Sequence, residues 1–291
     1  MNRRRFLAVA GGGIVVAAGA GVAGFVGSRT PHTALRPWID AGSLYTEPRM
    51  KALSYAILAP NPHNLQPWLV DLAQPDRVIL HVDPDRLLPL TDPPNRQIAI
   101  GLGCFLELMR MAAGQDGFRV DFDLFPAGED ENALDERPVA IATFSRDASV
   151  QPDPLFAHVL ARRSLKEPFD LTRPVSSESL ARLEAVVENG TATGSSNQAG
   201  SVDALRRLTH DALLLEIETP HTFWESVDLF RIGKAEIEAN PDGIDFSGPM
   251  FEALHMAGMF TRDAALDTGT SAYEQGRNAV LENTDTAMAH L

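Results

Sequence analysis

The sequence predicts a mixed α+β protein preceded by a separate targeting segment, and three observations carry that reading. Short apolar or alternating runs of strand character are concentrated in residues 68–144, whereas runs with helical spacing occur throughout the chain. The chain has 291 residues, 44% of them apolar and 22% charged, which is long and apolar enough to bury a sizeable core. Its N-terminal stretch has a composition unlike that of the body.

The first thirty residues differ in kind from the rest of the chain. Arg3-Arg4-Arg5-Phe6-Leu7 precedes an uncharged run rich in Ala, Val and Gly that extends to Gly27. This resembles a twin-arginine export signal, in which two arginines, any residue, Phe and Leu stand before a weakly hydrophobic stretch. The run is long enough to serve as an uncleaved anchor, but its many glycines make it a poor helix and only marginally hydrophobic. The expectation is therefore an exported, extracytoplasmic protein whose contact with a membrane, if any, is through an uncleaved leader. Gly19-Ala20-Gly21-Val22-Ala23-Gly24 is a literal GxGxxG, but no strand precedes it and the leader already explains its composition, so it is not read as a dinucleotide loop. The twin-arginine route carries folded proteins and is much used by those that acquire a cofactor first.

The body divides near residue 150 into a first half, 45–150, and a second, 151–291. Residues 50–58 have helical spacing and run into a Pro/Asn cluster, after which residues 68–72 and 78–82 read as strands. Four prolines make residues 84–95 a loop. Residues 96–113 are spaced as a helix, with Gly114 and Gly117 as terminators. Phe118–Leu124 alternates apolar and polar strictly, the mark of a half-buried strand, and residues 139–144 give another. The acidic residues 128–136 between them read as a solvated loop. In the second half, residues 153–163, 179–188 (stopping at Gly190), 202–218 and 223–239 read as helices, 195–200 as a loop and Asn240-Pro241-Asp242-Gly243 as a strong turn. Few strand signals occur after residue 145.

Two segments carry the chemistry. In Ala59-Pro60-Asn61-Pro62-His63-Asn64-Leu65-Gln66-Pro67-Trp68, the prolines fix φ and remove backbone donors, so the loop is stiff and presents Asn61, Asn64 and Gln66 as amides that both donate and accept. Such groups suit a flat heterocycle edged with carbonyls and ring nitrogens. A rigid surface turn whose Trp68 opens the next strand fits the same residues. The second segment is Arg162-Arg163-Ser164-Leu165-Lys166-Glu167-Pro168-Phe169. Three cations and a hydroxyl within five residues form a phosphate clamp in an otherwise acidic protein; the alternative is a helix C-terminus whose cations favour the dipole.

Taken together, these segments resemble the two flavin-holding motifs of the nitroreductase family. Pro60, Asn64, Gln66, Pro67 and Trp68 match its Pro-Ser-x-x-Asn-x-Gln-Pro-Trp stretch, with Asn61 in the serine position, and Arg162, Arg163, Ser164 and Phe169 resemble its Arg-Arg-Ser-x-Arg-x-Phe stretch. Lys166 replaces the third arginine, and one extra residue precedes the phenylalanine. The helix at 96–114 is similar to the family's glycine-containing core helix. The resemblance covers residues 45–291 and implies a three-layer α/β/α sandwich around a mixed, largely antiparallel sheet. It also implies FMN as cofactor, with Arg162, Arg163 and Lys166 on its phosphate, Ser164 at the ribityl-phosphate end, and Pro60, Asn61, Asn64, Gln66 and Trp68 around the ring.

This chain departs from the family in its order of motifs, since the arginine segment comes after the Pro/Asn/Gln segment instead of preceding it. That implies two nitroreductase-like halves in one chain, a monomer or pseudo-dimer that builds internally the site ordinary members build between subunits. A further strand and helix are expected beyond Leu291 to complete the second half. The resemblance implies transfer of two electrons through flavin N5 from NAD(P)H or another donor to a small-molecule acceptor such as a nitroaromatic or quinone, with no protein nucleophile or base. The competing reading is a protein that holds flavin without turnover.

Other chemistries find little footing. The net charge of −14 argues against nucleic acid, whose phosphates need clustered Lys and Arg. Cys104 is the single cysteine, so no intrachain disulfide or thiolate zinc site can form; it reads as an inert buried residue. The eight histidines show no HxH or HExxH spacing, and no GxSxG elbow or Walker A loop is present. Met109, Met111, Met256 and Met259 read as core filler.

Overall fold

A computed structural model describes residues 27–130, 132–164, 167–187 and 192–290. The leader motif and Lys166 lie outside these residues. Elements in chain order are α1 (Arg36–Asp40), α2 (Pro48–Ala56), β1 (Trp68–Asp71), β2 (Arg77–Val82), α3 (Arg96–Gln115), β3 (Phe118–Leu124) and β4 (Ala140–Arg146). Next come α4 (Ser177–Glu184), α5 (Ala199–Glu218), α6 (Pro220–Asp228), β5 (Phe230–Ile232), α7 (Gly233–Ala239), β6 (Ile244–Phe246), α8 (Pro249–Met256), α9 (Arg262–Leu266) and α10 (Ser271–Asp285). The fold is α+β with an antiparallel main sheet, compatible with a nitroreductase-like α/β architecture.

The chain forms two compact units: Met1–Arg162 with Leu229–Thr261, and Arg163–Asp228 with Arg262–Leu291. In the first, the sheet runs in the order β1-β2-β4-β3. Alternation on β2 and β4 sends Val78, Leu80 and Val82 together with Ala140, Ala142 and Phe144 to the buried face. Helices α2 and α3 cover that face, with Ile98, Leu102, Phe105 and Met109 of α3 fully buried in the same core as Ala52, Leu53 and Ala56 of α2. Burying each large side chain contributes roughly 1.5–3 kcal/mol, so α3 is the element on which the sheet depends. By length and composition α3 could cross a membrane, but 61% of its most apolar 18-residue stretch is buried inside the protein, as befits a core helix. Arg49 ties the turn between β1 and β2, its Nη1 donating to the carbonyls of Leu72, Gln74 and Arg77.

Elements expected in the first 150 residues occur with ends shifted by at most two residues, because caps rather than periodicity set the boundaries. Helix α2, for example, starts at Pro48 since the Glu47 carboxylate accepts from the Met50 amide.

Several expectations are corrected, among them Met256 and Met259, which are exposed rather than core filler. Residues 153–163 do not form a helix: a short 3-10 turn at Pro154–His158 comes after Asp153, whose carboxylate caps Leu155, and the amides of Ala161 and Arg162 both turn back to the His158 carbonyl. Residues 223–239 are not one helix either. Helix α6 ends at Asp228, β5 pairs in parallel with β6, and Gly233 at φ 78° starts α7. A strand partner that lies beyond the next helix leaves no trace in local periodicity, which is why these two strands after residue 145 give no sequence signal.

The second unit is helical among its described residues, apart from a bridge between Ser196 and His290. Helices α5, α6, α9 and α10 pack together, and Phe223 meets Tyr273 edge-on at 5.7 Å between ring centres. Periodicity places α4 at 179–188; its described turns are Ser177–Glu184, with Ser176 capping Ser179, and Gly190 lies outside the described residues.

Candidate functional site

The loop that precedes β1 is built from unusual backbone. Asn61 is extended, but His63, Asn64 and Gln66 have φ of 49°, 53° and 53°, the left-handed region in which a side chain is crowded by its own backbone. Prolines at 60, 62 and 67 restrict the residues before them and force the sharp reversals between. Asn61 closes the loop on itself: its Oδ1 accepts from the Gln66 amide at 2.8 Å and its Nδ2 donates to the Ala59 carbonyl at 3.0 Å. Leu65 and Pro67 are buried beneath the loop and Asn64 is exposed at its tip. Trp68 leaves it to pack on Phe105 of α3, ring centres 5.0 Å apart.

Residues 240–243 hold the same loop from the other side. Gln66 Nε2 donates to the Pro241 carbonyl at 2.7 Å, and the Gly243 amide donates to the Asn64 carbonyl at 3.3 Å. Arg86 bridges the two segments, giving one hydrogen bond to the Leu65 carbonyl at 2.8 Å and another to Asp242 Oδ2 at 3.0 Å. Arg231 grips the other oxygen of Asp242 through Nε and Nη2. The turn tolerates no side chain at Gly243, where φ is 76° and a Cβ would lie 2.4 Å from the Leu229 carbonyl oxygen. Sequence reasoning singles out the 240–243 turn but not its role, and it misses Arg86 and Asp242 as loop supports, because partners 156 residues apart leave no local signal.

The fold divides the sequence-predicted site residues between its units. Pro60, Asn61, Asn64, Gln66 and Trp68 come together in this loop of the first unit. Arg162, the last residue of that unit's N-terminal segment, joins them from the side: its Nη2 donates to the Leu58 carbonyl at 2.9 Å, and its guanidinium lies 5.8 Å from the centre of the Trp38 ring. Arg163 and Ser164 open the second unit and are exposed. In the same unit Asn283 donates to the Glu167 carbonyl at 2.8 Å, and the Phe169 amide donates to Thr286 at 2.9 Å, so α10 holds the chain just past the motif. Cys104 is partly rather than fully buried. Burial pushes its thiol pKa up, against the opposing pull of Arg162 and with a further push from Glu107. Among the described residues no group of three or more His, Cys, Asp or Glu side chains is placed to hold a metal ion.

The amides decide what the loop can bind. Both polar ends of Asn61 and the Nε2 of Gln66 serve the fold. The Gln66 Oε1 acceptor and the exposed Asn64 amide are groups the loop can offer to a planar ligand's edge, a donor–acceptor set that suits a heterocycle.

No family model matches the chain. Two Mycobacterium tuberculosis proteins, from strains CDC 1551 / Oshkosh and ATCC 25618 / H37Rv, are similar to part of it; each is provisionally named NAD(P)H nitroreductase acg. Identity is 35% over 79 residues, which is 27% of this chain. The match spans about a quarter of those relatives' length, 24% of each. Over that stretch the chain is similar to a nitroreductase by name.

Proposed function

We propose that this protein is an FMN-binding oxidoreductase of nitroreductase type. The observation that carries the proposal is the rigid loop of residues 60–68, which keeps the pattern Pro60, Asn64, Gln66, Pro67, Trp68 and is fixed by bonds from Asn61, Arg86 and residues 240–243. The partial similarity to relatives named as nitroreductases supports the same reading.

Asn64 and the Gln66 carbonyl would orient the ring edge, and Trp68 would back the loop. Arg162, Arg163 and Lys166 would neutralise the phosphate, with Ser164 donating to it; these assignments rest on the motif. When bound, FMN supplies two-electron transfer from NAD(P)H or another donor to a nitroaromatic, quinone or similar acceptor. The protein's part is to bind, orient and exclude water, and none of its side chains needs to act as nucleophile or base. The proposal also holds that the chain is exported through its twin-arginine leader and that its two halves act as an internal pseudo-dimer. An extracytoplasmic location calls for an electron donor other than the cytoplasmic nicotinamide pool.

The test is an absorbance spectrum of purified protein, then FMN titration of the wild type and of Arg162→Ala/Arg163→Ala. Flavin absorbance with affinity lost in the double variant supports the proposal. A colourless protein that ignores FMN overturns it. Bound flavin that is never reduced by NAD(P)H or by an artificial donor leaves a flavin-holding protein without turnover. The internal use of Asn61 and of Gln66 Nε2 is the observation that speaks for that second reading.

A further inference from the structure

We propose that Asp242 is a positioning residue: it locks the loop of residues 61–66 in its left-handed conformation, presetting Asn64 and Gln66 for a heterocyclic ligand. The identity of that ligand as flavin rests on the proposed function; the locking does not.

Backbone cost is the starting point. A non-glycine residue in the left-handed region is disfavoured, and three of them, His63, Asn64 and Gln66, fall within four positions. Such a conformation persists only where the surroundings over-determine it. The internal bonds of Asn61 fix the loop's closure but not its lean, which depends on the bonds from Pro241, Gly243 and Arg86. All three of those depend on Asp242. Its two carboxylate oxygens are divided between Arg86 and Arg231, at 3.0 Å and 2.9 Å, and it lies in the chain between Pro241 and Gly243. Only about a fifth of its side chain is exposed, so solvent screens these pairs weakly. Asp83 also pairs with Arg86, at 3.2 Å, on Nε rather than on the Nη1 that Asp242 and the Leu65 carbonyl share. A neutral residue at 242 would leave two guanidinium groups converging on one uncharged acceptor, and their repulsion would pull Arg86 off the Leu65 carbonyl. The turn cannot compensate by sliding, because Gly243 is already packed against Leu229.

The experiment is residue-resolved hydrogen exchange on the full chain, comparing wild type with Asp242→Asn and Arg86→Met. The second variant breaks the bridge to Leu65 while sparing the Asp242–Arg231 pair, and so covers the case in which Asp242→Asn fails to fold. The reporters are the amides of Asn64, Leu65, Gln66 and Trp68, each bonded within the loop. The expected result is exchange at these amides about tenfold faster or more, with β2 and β4 unchanged, together with FMN affinity weakened by about tenfold in a flavin-fluorescence titration. Loop exchange within about twofold of wild type in both variants would overturn the inference, as would equal acceleration across the sheet, which marks general destabilisation. The two readings fail separately: wild type that ignores FMN while the loop responds sinks the flavin assignment alone. Wild type that binds FMN with neither exchange nor affinity responding sinks the role of Asp242 alone.

Discussion

Gly101 of α3 lies against Asn61: a Cβ built on the glycine would fall 3.1 Å from the Asn61 Cβ and 3.3 Å from its Cα. The core helix and the candidate ligand loop thus meet so closely that a methyl group at position 101 would require Asn61 to give by a few tenths of an ångström. Because Asn61 is tied at both ends of its amide, it cannot step aside. Gly101→Ala is expected to cost about 1–3 kcal/mol despite alanine's better helix propensity, read as a lowered denaturation midpoint. Unchanged or raised stability would show that the loop yields freely.

Phe105 carries the next contact of the same helix, fully buried and packed on Trp68. Phe105→Ala is expected to destabilise the first unit by about 3–5 kcal/mol, and Phe105→Leu by clearly less. Tryptophan fluorescence during urea unfolding measures both.

Glu252 is buried beside Arg29, whose Nη1 reaches its carboxylate at 2.7 Å, while the Lys234 amide donates from the other side at 2.8 Å. Burial alone would raise this carboxyl's pKa, but the bonds from Arg29 and Lys234 outweigh it and hold the value below the ordinary 4.5. A carboxylate depressed in the folded state adds stability above its unfolded value and loses it as pH falls through the folded one. Arg29→Met should therefore lower stability near neutral pH by about 1–3 kcal/mol. The gap from wild type should narrow below about pH 4. Paired denaturation curves at several pH values decide it, and a gap independent of pH would contradict the assignment.

Cys104 is expected to react slowly with a neutral disulfide reagent at pH 7–8, by about tenfold or more relative to an unperturbed thiol. Burial raises its pKa and keeps the thiolate fraction small, so the rate should climb only at more alkaline pH. Arg162 pulls the other way, and Arg162→Met should shift the profile further to alkaline pH. Labelling rates against pH provide the check.

Where sequence is readable, one element carries its own signal. The strict alternation of Phe118–Leu124 is a strand with those bounds, and the apolar spacing of α3 survives because one face of it fills the core. The stiffness of the 60–68 loop is likewise legible in its prolines. Its shape is not, since two of its three left-handed residues, Asn64 and Gln66, are held by partners far along the chain. The same limit hides β5 and β6, three residues each and paired only with one another. Arg162 illustrates the converse: its motif suggests a cation for a ligand, and the fold sets that cation on the Leu58 carbonyl, just ahead of the other motif.

The bond from Gln66 to Pro241 joins positions 175 apart, and the residues between include most of the second unit. A nascent chain has made the loop, the sheet and α3 long before it makes the turn that braces them. At ordinary synthesis rates of about 5–20 residues per second, the strained loop waits on the order of ten seconds or more for its support. Cutting the polypeptide within residues 163–228 should thus yield two pieces that are individually unfinished, and a split version of this protein would report on their reassociation through that loop.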